Sequence, residues 1–290
     1  MKNSTILKYL LIPIFLLALC AASLGLFDQT PGTPYPYTNH RGETVTINGR
    51  GLYRYDTLST AAQMQGNDLI TLAVGLPLLA FSAWLAFKGS LRGRLLLTGT
   101  VGFFLYTYMS MSMLTAYNNL FLVYVVLFSL SLYAFILCMM SFDLQTLPSQ
   151  FSSRLPHGWI AALLFTVGVF LSLAWLGRIG SPLLNGGTPA LENTTTLVIQ
   201  AMDLALIVPL AFLAGILLLR RSAWGYLLAS VFVLKALTLG LGVSAMGINM
   251  SLQGVPDSLA IVVPFLVITL LNLAAAAALI KNIEQERKTV

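Results

Sequence analysis

Apolar runs long enough to cross a hydrocarbon core as helices, about 20 residues each, recur at 5–27, 68–88, 95–117, 119–141, 158–178, 196–219, 226–249 and 258–280. The pattern predicts an all-α polytopic membrane protein of eight spans. The one long polar stretch, 28–67, opens with Thr30-Pro31-Gly32-Thr33-Pro34-Tyr35-Pro36-Tyr37. That segment cannot be helical, because each proline lacks a donor and restricts the residue before it, so it is expected to be an extended strip. Beyond it, 43–47 and 50–55 flank Asn48-Gly49, a dipeptide suited to the positive φ of a type I′ turn, which predicts a small β-hairpin folded about that pair. Residues 57–67, polar and glutamine-rich, predict a short helix leading into the second span.

Composition supports this class: of 290 residues, 57% are hydrophobic and only 9% charged, with mean hydropathy +0.84. These values exclude disordered, collagenous, disulfide-scaffold and ordinary soluble chains. The two cysteines, Cys20 and Cys138, lie in apolar runs and provide neither a disulfide framework nor a thiolate zinc cage. The net charge of +6 would suggest nucleic acid or an anionic surface in a soluble chain, but its distribution follows topology. Lys2 and Lys8, then Lys88, Arg92 and Arg94, then Arg154, then Arg220 and Arg221, then Lys281, Arg287 and Lys288 all fall on one side of the eight spans. The positive-inside rule places both termini in the cytoplasm of a cell membrane, with the bilayer and not nucleic acid as partner. Arg41, Arg50 and Arg54 in the external loop are the one dissent. Lys2, Lys8 and Cys20-Ala21-Ala22-Ser23 could also mark a cleavable signal peptide, but the apolar stretch 9–27 is longer than a signal core.

The two halves repeat a plan. Gln65-Gly66-Asn67-Asp68-Leu69 resembles Gln200-Ala201-Met202-Asp203-Leu204, each heading a span that contains a proline, Pro77 or Pro209. From those prolines the halves run ungapped at a separation of 132: Lys88 on Arg220, Ser90 on Ser222, Gly93 on Gly225. This predicts a 4+4 parallel repeat, 1–150 (with external loop 28–67) and 151–290 (with a short tail, 281–290), related by an axis along the membrane normal.

The segment Gly51-Leu52-Tyr53-Arg54-Tyr55-Asp56, with Gln200-x-x-Asp203-Leu204, Pro209, Arg220-Arg221, Trp224-Gly225-Tyr226 and Lys235, resembles a family of bacterial multi-pass inner-membrane proteins with no established activity. The resemblance implies a bacterial inner membrane and carries no substrate or cofactor.

Ionisable groups at bilayer depth cost about 2.5–3.5 kcal/mol even on lenient scales and face the bundle interior or water. Asp203 lies about seven residues in from the outer face and Lys235 about fourteen, roughly 10 and 21 Å. The two are expected to compensate each other, with Asn272 at the depth of Lys235, Tyr106 and Tyr108 between them, and Gln200 one turn before Asp203. Lys235, Thr238, Gly242 and Ala245 share one helical face, as do Thr98, Gly102, Tyr106 and Ser110, which suggests a polar path between the halves. In the outer loop, Arg54 and Asp56 flank Tyr55 and would share a strand face as a surface pair, while Gln65 and Asp68 head the second span.

Other motifs carry less. Met109, Met111 and Met113 stand two apart, so on a helix they cannot converge on one ion, and gap-filling is expected instead. His40 and His157 fall on opposite sides of the membrane. Trp84, Trp159, Trp175 and Trp224 sit near predicted span ends and read as interfacial. Three functions follow: a carrier of a small solute or proton with Asp203 and Lys235 at its site; a non-transporting protein binding a lipid, a pigment or a partner subunit at its outer face; and an enzyme acting on a lipid headgroup, with Asp203, Asp68 and Arg54 as acid/base candidates. A retinal-type linkage at Lys235 lacks a carboxylate on the third span.

Overall fold

The computed structural model describes residues 4–284, so Lys2, Arg287 and Lys288 lie outside the described residues. Among the described residues, eight helices are long and apolar enough to cross a membrane. They are α1 (Ser4–Phe27); α2 (Leu58–Ile70) running on into α3 (Leu76–Phe87); α4 (Leu91–Leu114); α5 (Phe121–Met140); α6 (His157–Leu184); α7 (Val198–Met202) running on into α8 (Val208–Leu219); α9 (Ala223–Leu252); and α10 (Val262–Lys281). Outward-facing residues such as Ile12, Leu16, Leu122, Leu173 and Leu270 are exposed, as lipid-facing positions should be, since hydrocarbon makes no demand for polar cover.

The second and sixth spans are not plain α-helices. Each contains a π turn, Thr71–Gly75 and Asp203–Ile207, directly before the segment that carries Pro77 or Pro209. A proline lacks a backbone donor and crowds the preceding turn, and a wider turn of i→i+5 bonds accommodates the misfit.

Two helices form the centre. In α4 and α9, 67% and 72% of the most apolar window is buried, against 28–44% in the other spans. Meeting little lipid, they can carry glycine, serine and threonine. Gly99 of α4 lies where a Cβ would come within 2.6 Å of the Leu234 side chain, and Gly66 of α2 where one would come within 2.7 Å of the Met246 backbone nitrogen. Small residues thus let α4, α9 and α2 approach closely. α3 and α5 pack on α4, whereas α8 and α10 pack on α9, and both α4 and α9 also meet the head helix of the other half, α7 and α2 respectively.

One end of the bundle gathers Lys88, Arg92, Arg94, Arg154, Arg220 and Arg221, and is here termed the basic end. There the 150–152 segment pairs with 282–284, and the Arg92 guanidinium donates to the Ile283 carbonyl at 2.8 Å.

The opposite end carries the hairpin, in a different register from that expected. Strand β1 (Tyr35–Thr38), the proline–tyrosine strip itself, pairs antiparallel with β2 (Thr44–Ile47), and the chain reverses at Asn39–Glu43. Asn48-Gly49 does supply a positive φ, +76° at Gly49, but in a tight loop. The buried Asn48 amide donates to the carbonyls of Arg50 (2.8 Å) and Tyr53 (3.1 Å). Residues 50–55 therefore form turns, because Asn48 satisfies locally the carbonyls that a strand would offer a neighbour.

The hairpin also ties the halves together at this end. Glu43 accepts from the Leu191 and Glu192 backbone amides at 3.2 Å, Thr57 donates to the Glu192 carboxylate at 2.5 Å, and Asn39 donates to the Glu192 carbonyl at 2.7 Å.

Candidate functional site

Asp203 opens the π turn of the sixth span and is 5% exposed. Both its oxygens are occupied: Tyr106 of α4 donates to Oδ1 at 2.6 Å and the Trp175 indole of α6 to Oδ2 at 2.8 Å. Lys235 of α9 places Nζ 3.9 Å from the centroid of the same Tyr106 ring and makes no hydrogen bond among the described residues. Tyr106 therefore joins the two charges, with its hydroxyl on the carboxylate and its ring face under the ammonium, an arrangement a π quadrupole favours. No direct hydrogen bond links the two groups; each meets a different part of Tyr106.

Above this chain opens a cavity of about 430 Å³ between the two halves. Gln63, Met64 and Asn67 come from α2; Tyr106, Thr107 and Ser110 from α4; Trp175 from α6; Ile199 and Asp203 from the sixth span; and Leu239 and Met246 from α9. Phe265 of α10 closes the wall, with its ring edge-on to Phe170 at 5.8 Å. Asp203 is the one charged residue among the described residues lining it.

The other expected residues are distributed differently. Tyr108 turns away from Tyr106, as residues two apart on a helix must. Its ring stacks on Tyr124 and Phe104, and its hydroxyl is unpartnered in the core of the first half. Thr238 is buried and donates to the carbonyl of Lys235 in its own helix. Asn272 is fully buried, donates to the Ile268 carbonyl, and leaves Oδ1 without a partner. Gln200 is buried one turn before Asp203 and does not line the cavity.

The outer group separates as well. Arg54 and Asp56 are not a surface pair: Arg54 donates to the Gly51 carbonyl, whereas Asp56 is buried and accepts from the Ala116 amide at 2.8 Å. Burial without a cation pushes the Asp56 carboxyl up to about 7. Tyr55 is exposed, and its carbonyl accepts from Asn193. Asp68 is buried in α2 against Gly25 and accepts from the Tyr53 hydroxyl at 2.6 Å. Gln65 accepts from Gln253 at 2.7 Å. It also lines a second hollow of about 530 Å³ at the hairpin end, which Asp28, Arg50, Asn249 and Leu252 help to bound. That hollow is larger, but no buried charge faces it.

A fifth span ending near 178 would put Trp175 at the interface. The helix runs to Leu184, so the indole lies more than two turns inside. Asn67, Gln63, Phe170 and Phe265 carried no distinguishing pattern in the sequence.

Comparison with known proteins finds no match to this chain among family models, curated proteins or solved structures.

Proposed function

We propose that this protein is a carrier in which two four-helix units, 1–150 and 151–290, enclose a solute site at the 430 Å³ cavity, with Asp203 and Lys235 as its charge-bearing residues. The observation that supports it is a buried carboxylate facing a cavity between the halves, tied through Tyr106 to a buried ammonium. Charged groups inside a membrane are characteristic of solute and proton paths.

The repeat reading draws on matched detail at one offset. Both π turns, both prolines, and the capping serines Ser90 and Ser222, which accept from the amides of Gly93 and Gly225, lie 132 positions apart. A Cβ on Gly93 would strike Leu85, and one on Gly225 would strike Leu217, again 132 apart. In this register Asp203 corresponds to Thr71 and Gln200 to Asp68, so the two Gln-x-x-Asp-Leu heads are displaced by one turn. With the basic end cytoplasmic, the cavity is reached from outside.

The larger hollow at the hairpin end favours the non-transporting reading, in which a lipid or partner sits on the outer face. One experiment separates the two. In a chain with Cys20 and Cys138 replaced by alanine, Ser110→Cys in the cavity wall is exposed to a membrane-impermeant cationic thiol reagent from each side of sealed vesicles. A carrier is labelled from both sides, in proportions that shift between states; labelling confined to the hairpin side means a static pocket and rejects carriage. Reporter fusions after Ser90 and Asn118 should read cytoplasmic and external respectively.

A further inference from the structure

The chemistry of the cavity wall narrows the ligand. Tyr106, Phe170, Trp175 and Phe265 contribute four aromatic rings, and Asp203 contributes the one formal charge. Each carboxylate oxygen has two lone pairs, and Tyr106 and Trp175 each take one, so the anion, which lines the cavity, retains acceptor capacity. Aromatic faces around a carboxylate are a recognised environment for organic cations, whose charge is spread over carbon and whose desolvation cost is low.

Lys235 shows the Tyr106 ring already holding a cation. Its ammonium rests on the Tyr106 ring with no hydrogen bond, an internal cation held by the same ring that holds Asp203. It does not line the large cavity; it borders a separate hollow of about 30 Å³ one layer deeper, which shares Phe170, Leu239 and Phe265 with it. The remaining surroundings of Lys235 are apolar: Val167 from α6, Ile207 from the π turn and Ile268 from α10. Facing groups that carry charge or titrate are Asp203 of the sixth span and Tyr106 of α4. Arg220 of α8, Lys281 of α10 and His157 of α6 stand at the basic end, and Asp68 of α2 is turned to Tyr53.

We infer that the cavity takes a lipophilic organic cation, an amine or quaternary ammonium with an apolar body, whose charge replaces that of Lys235 as counter-ion to Asp203 and releases the lysine proton. The inference rests on the carrier reading and gives it a substrate class and an exchange. The step balances simply. The ligand enters carrying one positive charge; one N–H bond of the Lys235 ammonium breaks, its electron pair stays on Nζ, and the proton leaves to water. Nothing is oxidised or reduced, and the buried site keeps one positive and one negative charge throughout, which avoids burying an uncompensated ion.

The test compares benzyltrimethylammonium with neopentylbenzene, its uncharged carbon isostere, by equilibrium dialysis against the purified full chain. A pH indicator in weakly buffered solution follows the proton. The cation should bind about tenfold or more tightly than the isostere, the ratio that about 1.4 kcal/mol produces, with close to one proton released per cation bound. Asp203→Asn should bring the two probes to equal affinity. Lys235→Met should abolish the proton release that accompanies cation binding, since no ammonium is then left to lose its proton. This wild-type comparison needs no variant to fold. Equal affinity for the two probes, absence of binding, or cation preference that survives Asp203→Asn would each overturn the inference. These outcomes are distinct from failure of the carrier reading, because one-sided labelling of Ser110→Cys rejects carriage whatever the probes do.

Discussion

Replacing the buried charges singly and together tests whether Tyr106 couples them, and the local geometry predicts unequal costs. Breaking a buried charge pair by removing one member costs about 3–5 kcal/mol, because the survivor is left uncompensated. Lys235→Met leaves Asp203 with two donors, from Tyr106 and Trp175, and should fall at or below the lower end of that range. Asp203→Asn leaves Lys235 with an aromatic face and no hydrogen bond, and should fall toward the upper end. Tyr106→Phe keeps the ring beneath the ammonium and removes one interhelical hydrogen bond, for about 0.6–2 kcal/mol in a membrane setting. The double variant Asp203→Asn/Lys235→Met buries no charge and should cost less than Asp203→Asn alone. Reversible unfolding in mixed micelles, followed by circular dichroism across this cycle, measures the coupling. Additivity of the two single costs within about 0.5 kcal/mol, as for independent sites, would refute a bridge through Tyr106.

Two further outcomes are expected. Burial raises the Asp56 carboxyl from 3.8 to about 7, so the folded chain binds more protons than the unfolded one across that window, and stability should fall as pH rises from about 4 to about 7. Asp56→Asn should flatten that slope in thermal melts recorded across it, and an unchanged slope would exclude Asp56 as its source. Gly93→Ala and Gly225→Ala each push a methyl into the backbone of the preceding helix; each should lower stability by about 1–3 kcal/mol, with losses matched to within about 1 kcal/mol, and widely different losses would argue against equivalent turns.

The eight spans were legible because lipid imposes one simple demand on residues that face it, and their limits matched the apolar runs closely except where polar residues extend a helix. α2 begins ten residues before its apolar run because Thr57 caps it and its early turns bury Thr60, Met64 and Asn67 against protein. Hydropathy cannot see that kind of burial, but the polar, glutamine-rich run 57–67 already predicted a helix leading into the span, and the helix is there. Depth and cost alone singled out Asp203 and Lys235, which the structure places on opposite parts of one side chain, Tyr106. That bridge was half legible, since Tyr106 and Tyr108 lie at nearly the same depth and only helix rotation separates the one on Asp203 from the one stacked on Tyr124. The hairpin register was missed because Asn48-Gly49 is a strong local signal, whereas the pairing of Tyr35–Thr38 with Thr44–Ile47 depends on a five-residue reversal that carries no such dipeptide. Trp175 was missed through a span end placed six residues early.

A π turn holds one residue more than the α turn it replaces, so the geometry of the turn sets where the carboxylate of the sixth span points. Asp203 is the first residue of such a turn, and Pro209 follows it in the next segment. If the turn tightened to α geometry with α8 held by its packing, Asp203 and α7 would rotate by about 100° and shift by about 1.5 Å along the axis. That movement is large enough to draw the carboxylate off Tyr106 and Trp175 and aim it at another face of the bundle. The π turn of the second span opens with Thr71, so the same change there would move a hydroxyl and no charge. Tightening both turns would therefore move a carboxylate in the sixth span and only a hydroxyl in the second, so the two spans differ in what the same local change does to the charge around them.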